Sequence, residues 1–162
     1  MYFKKILFFA TILFIFVGCG HLDLNAVSRQ EALNTRCDRD SNNDTITCKD
    51  KIFDKLMWQD NTSPMLDWNK AKEYCKNLQY AGFSDWRLPT RHEFLTITDF
   101  SKFNPAIKKI FSNIKYGRYW SSTINTGNSA YAFEVYGGDD LIEPMSIVYN
   151  VCLLYTSPSP RD

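Results

Sequence analysis

The chain has 162 residues, with 19 basic and 18 acidic side chains, 4 tryptophans and 9 tyrosines. Charge this evenly balanced offers no clustered basic face for nucleic acid, and the length suits one domain with one core. Trp and Tyr build cores, but they also build glycan and protein contact surfaces.

Lys4 and Lys5 precede an apolar run over residues 6–17 that only Thr11 interrupts. A basic start followed by such a run reads as a secretory signal, and it is too short to cross a bilayer, which takes roughly 20 residues. Phe16-Val17-Gly18-Cys19 resembles the lipobox of bacterial lipoproteins, with Phe16 where Leu is usual. The resemblance implies that residues 1–18 are removed as a signal peptide and that Cys19 carries fatty-acyl chains such as palmitate. Each buried methylene of such chains adds about 0.8 kcal/mol, so several chains together hold a protein on a membrane. Gly20, rather than Asp, after the cysteine points, for a Gram-negative host, to the outer membrane of the cell envelope. Residues 19–36 read as a lipidated tether, with a helical turn signalled by the capping-box pattern Ser28-Arg29-Gln30-Glu31.

The folded domain is expected over residues 37–151. Cys37 and Cys48 flank the stretch Asp38-Arg39-Asp40-Ser41-Asn42-Asn43-Asp44, which suits a hairpin closed by a disulfide. The alternating acids invite comparison with a calcium loop. However, Asn43 stands where Gly is needed and Lys49 where a bidentate Glu is needed, so a hairpin turn is the simpler reading. Residues 45–48 and 51–58 follow as strands. Asp67 can cap a helix whose apolar stripe is Trp68, Ala71, Cys75 and Leu78, which buries Cys75. That leaves Cys75 to pair with a cysteine beyond Val151 or, as the rival reading, to join a metal site. Thr90-Arg91-His92-Glu93 is a capping box opening a second helix with Phe94, Leu95 and Ile97 inside, and Asn104-Pro105 starts a third, short one. Residues 118–123, 131–136 and 145–151 read as strands, with a turn at 137–140. Residues 152–162 look like the translation of an adaptor used in preparing sequencing libraries, and so are set apart from the fold.

Several of these segments together carry a family resemblance. They are Leu56-Met57-Trp58-Gln59-Asp60, the Trp68 helix, Ser84-Asp85-Trp86-Arg87-Leu88-Pro89-Thr90 with Glu93, and Tyr119-Trp120-Ser121-Ser122-Thr123. In this order they resemble the Lcl C-terminal domain. The order of elements, a hairpin, then helices, then an antiparallel sheet, gives a single α+β domain with two main helices packed on short antiparallel strands. The resemblance implies a C-type-lectin-like fold related to the formylglycine-generating enzymes. It also implies a cysteine-bearing last strand, which would supply the partner for Cys75.

Within that signature, Trp86 and Arg87 are most simply a folding element: the indole packs while the guanidinium pairs a carboxylate or caps carbonyls. Trp120, Tyr136, Asp139, Asp140 and Glu143 are the candidate ligand contacts, the carboxylates beside Gly138 being able to take calcium. The default reading of those acids is a solvated loop. The function expected is a membrane-anchored envelope lipoprotein that binds a glycan or another extracellular polymer, as in adhesion. The alternative is a lipoprotein whose partner is an envelope protein. An oxidase of the formylglycine-generating type would need copper and a reactive cysteine pair. Because Cys75 lies on an apolar helix face and Cys152 lies in the set-apart tail, an enzyme is not expected.

Overall fold

The computed structural model describes residues 35–61, 63–151 and 154–156. The lipobox, Cys19 and the tether's capping box lie outside them. Strands β1 (Arg36–Asp40) and β2 (Thr45–Asp50) form the expected hairpin. Asp40 makes its turn: the carboxylate accepts from Asn42 N at 2.9 Å and from Asn43 Nδ2 at 2.8 Å. Asp44 takes the left-handed φ of 47° that Asp tolerates. Cys37 and Cys48 face each other across the pair and are disulfide-bonded. Removing a crosslink between residues 11 apart is expected to cost roughly 3 kcal/mol, because the unfolded chain regains its loop entropy. Urea unfolding of a Cys37→Ser/Cys48→Ser protein checks this, and a stability equal to the oxidised parent would refute it.

The remaining strands are β3 (Asp54–Gln59), β4 (Met65–Leu66), β5 (Trp86–Arg87), β6 (Arg118–Ile124), β7 (Ser129–Glu134), β8 (Asp139–Pro144), β9 (Tyr149–Asn150) and β10 (Leu154–Thr156). They make two five-stranded sheets, in the orders β1-β2-β3-β10-β5 and β4-β9-β6-β7-β8. Every pairing is antiparallel except that of β6 with β9.

The expectation of two main helices is overturned, since the described chain is mostly β-structure. Helix α1 (Trp68–Asn77) forms as anticipated: the Asp67 carboxylate accepts from Lys70 N at 3.0 Å, and Trp68, Ala71 and Cys75 are buried. Helix α2 (Arg91–Phe94) has its capping box but only a single turn. The Thr96 and Thr98 hydroxyls donate to the Glu93 and Phe94 carbonyls, drawing on groups that would carry the helix onward. The chain then pairs across to residues 106–108, with Asp99 N on Ala106 O and Lys108 N on Ile97 O. Nor does a third helix start at Asn104. That residue has φ of 58°, and the amides of Asn104 and Ala106 donate to Tyr136 O and Val135 O. Among the described residues, no helix is long and apolar enough to cross a membrane.

Two apolar clusters lie on either side of the second sheet. One joins Ile46, Leu56, Trp58 and Leu154 to Phe94, Ile97, Phe111, Tyr119 and Phe133. The other joins Trp68, Ala71, Cys75, Trp86 and Leu88 to Trp120, Ala130, Ala132 and Val151. Neighbouring residues on a strand point to opposite faces, so Tyr119 serves the first cluster and Trp120 the second. Leu154, from the stretch set apart in the sequence, is fully buried between β3 and β5, opposite Trp58 and Arg87. The slot takes an extended segment with an apolar side chain on each face: Tyr155 on the other face meets Phe83 and Trp86, with ring centroids 4.4 and 5.9 Å away.

Candidate functional site

The signature run folds into a polar knot held by charge and packing. Arg87 donates to both Glu93 carboxylate oxygens, at 2.8 and 2.6 Å, and to Leu88 O at 3.1 Å. Glu93 also accepts from Thr90 N at 2.7 Å, while the Thr90 hydroxyl accepts from Glu93 N. One carboxylate therefore closes the helix cap and anchors the guanidinium in a bidentate pair. The Trp86 indole N–H donates to Tyr80 O and Phe83 O, both at 3.2 Å, across a hairpin whose Ala81 and Gly82 take φ of 53° and 81°. Pro89 is buried, and its carbonyl accepts from Ser122 N at 2.7 Å, joining the knot to β6.

Beside this knot runs an open groove of about 380 Å³, lined by Lys72 and Lys76 of α1, by Ser84 through Leu88, and by Ser122. Both lysines are exposed, and the Lys72 ammonium sits 4.3 Å from the Trp68 ring centroid. Cations, hydroxyls and the upper edge of a buried indole thus share one recess. The buried signature residues brace the groove, and its charged lining groups are of both signs: Lys72, Lys76 and Arg87 with the exposed Asp85 carboxylate.

The candidate ligand contacts separate into two kinds. Trp120 is fully buried and donates to Leu66 O at 2.9 Å, so its ring is core and offers no face to a ligand. Ser121 is buried as well: its carbonyl receives the Trp68 indole N–H at 2.8 Å, and its hydroxyl receives Thr123 N. Asp140 and Glu143 lie on strand β8, not in a solvated loop, because the turn closes earlier, with Gly138 N on Glu134 O at φ of 78°. Asp140 pairs with Arg91 at 3.0 Å, and burial pushes its carboxyl up against that attraction. Glu143 pairs with Arg118 at 2.8 Å, and Arg118 also donates to the Tyr149 hydroxyl. Tyr136 and Asp139 alone of this set are exposed. Among the described residues, no group of three or more His, Cys, Asp or Glu converges to hold a metal ion.

Cys75 is buried, and burial pushes its thiol up to about 12, so at neutral pH it is protonated and a poor nucleophile. His92 is exposed on α2, and His21 lies outside the described residues.

Two charged anchors were not anticipated. The Asp60 carboxylate is fully buried; it ion-pairs with Arg39 and accepts from Ser112 N at 3.1 Å and Asn113 N at 3.2 Å. Arg39 also donates to Ile110 O and the Ser112 hydroxyl, tying the 110–113 loop to the first sheet. The clue available was that Asp60 closes the Leu56–Asp60 motif, where an acid follows an apolar run and so begins beside the core. Arg118, the other anchor, opens the Tyr119–Thr123 motif in the same way.

No curated protein matches the chain. The buried tryptophans, the Arg87–Glu93 knot and the β6 strand all fall within residues 47–151, which match the model of the Lcl C-terminal domain, and the chain belongs to that family.

Proposed function

We propose that this is an envelope lipoprotein, anchored through lipid on Cys19, whose folded domain binds a glycan or another extracellular polymer. The observation that carries the reading is the groove beside Trp86 and Arg87. It is open to solvent, lined by Lys72, Lys76 and Asp85, and backed by the hydrogen-bonded Arg87–Glu93 knot. An open recess with a preorganised floor suits a chain-like ligand better than a small one that must be enclosed. The lipid anchor and outer-membrane location rest on the lipobox resemblance, and they would present such a domain to polymers at the cell surface.

The soluble domain, with Cys19→Ser, is expected to be retained on immobilised polysaccharide more strongly at low salt than at high salt, because the two exposed ammonium groups contribute screened charge. A Lys72→Ala/Lys76→Ala protein should elute several-fold earlier with its unfolding midpoint unchanged. Equal retention of parent and variant on every polysaccharide tried, neutral and acidic, would sink the groove as the binding site. Crosslinking in intact cells that recovers one protein partner through the same lysines would replace the polymer with an envelope protein.

A further inference from the structure

A second exposed feature shares no residue with the groove. Phe103 and Tyr136 are 66% and 46% exposed, yet their rings meet edge to face with centroids 4.2 Å apart. Exposed aromatics from two separate segments do not normally hold one another in register without a framework, and here the framework is explicit. Asn104 N donates to Tyr136 O and Ala106 N to Val135 O, each at 2.9 Å, so the residues beside both rings are stitched together by backbone. Gly138 lies tight beneath: a Cβ there would come within 2.8 Å of Thr98 Cγ2 and 3.2 Å of Ala106 Cβ. Next to it, Gly137 makes room for the Asp139 carboxylate. A Cβ at that position would stand 2.7 Å from Asp139 Oδ2 and 3.9 Å from Phe103 Cε2, so a carboxylate oxygen and an aromatic edge border the same small space. Asp139 is exposed and has no ion-pair partner among the described residues, whereas the nearby Lys102 is held by Asp99 at 2.6 Å.

From this geometry we infer that Phe103, Tyr136 and Asp139 form a site for a neutral sugar ring, one ring of the edge-to-face pair stacking on its C–H face, the other bordering it and the carboxylate accepting its hydroxyls. The charge decides the class. A free carboxylate beside the rings repels sulfate and carboxylate groups, and Lys102 is already paired with Asp99. A pyranose offers an apolar face and a rim of donors, which is what an aromatic surface edged by a carboxylate takes. The rings are preorganised by backbone bonds, so little entropy is lost on binding.

Calorimetry of the Cys19→Ser domain with cello-, malto- and chito-hexaose, and with a trimethyllysine peptide as a cationic comparison, tests the assignment. Binding of at least one neutral oligosaccharide is expected, weakened about 2- to 10-fold by Phe103→Ala and by Tyr136→Ala. Gly137→Ala should weaken it too, by displacing the Asp139 carboxylate. Because these side chains are exposed, unfolding midpoints should stay at the parent value. The Lys72→Ala/Lys76→Ala protein should bind the neutral sugar as the parent does, which separates this site from the groove. The inference fails if no neutral oligosaccharide binds, if binding ignores Phe103 and Tyr136, or if the trimethyllysine peptide alone is bound.

Discussion

Replacing Trp120 with alanine is expected to lower stability by about 3–5 kcal/mol, as removal of a fully buried aromatic does. The loss has two sources. The ring leaves a cavity against Ala130, Ala132 and Tyr149, whose centroid is 5.0 Å away, and its indole no longer serves Leu66 O, which ties β4 to β6. Trp120→Phe separates the two: it keeps most of the packing and gives up the hydrogen bond, for a loss nearer 1 kcal/mol. Urea unfolding of the three proteins measures both differences. If Trp120→Ala unfolds at the parent's midpoint but abolishes polysaccharide binding, the residue contacts ligand and its burial has been misjudged.

Asp60→Ala is the second large loss, roughly 3 kcal/mol. The carboxylate is out of water, and its three donors have been arranged around it. Without it, two backbone amides lose their acceptor and Arg39 loses its buried ion-pair partner, keeping only the more distant Asp44 at 3.5 Å. Arg39 retains some access to solvent, which moderates the figure. Asp60→Asn should recover little, since its amide NH₂ would face the guanidinium. Hydrogen exchange at Ser112 and Asn113 gives a local reading of the same change: faster exchange there is expected in both variants. Unaltered protection in Asp60→Ala would show that the loop is fixed by other contacts.

Much of this arrangement could be read from residue order, and the exceptions have physical causes. The α1 stripe and the Thr90 capping box are local patterns with local consequences, and both formed. The disulfide followed from two cysteines flanking a turn. The length of α2 was not local: its cap was correct, but Thr96 and Thr98 and the pairing with residues 106–108 ended it after one turn. The Asn104-Pro105 start failed for a similar reason, since the amides nearby were claimed by Val135 and Tyr136 in the turn after β7. β8 was hidden because Asp139, Asp140 and Glu143 look like loop residues until Arg91 and Arg118 are brought alongside them. The same blindness affected the candidate site. Composition marks Trp120 and Tyr136 as equally able to contact a ligand, and only the alternation of β6 between two apolar clusters sends one inward. Phe103 carried no signal, being one aromatic in an irregular segment until the fold set it against Tyr136.

The place of β10 has a kinetic consequence. β3 pairs on one side with β2, its immediate predecessor, and on the other with the last described strand, Leu154 lying opposite Trp58. A contact across so much chain forms late, because the intervening loop must close first. Until a strand fills the slot between them, β3 and β5 present open backbone edges. A chain with that slot empty would therefore be adhesive to other copies in the same state and a ready target for proteases.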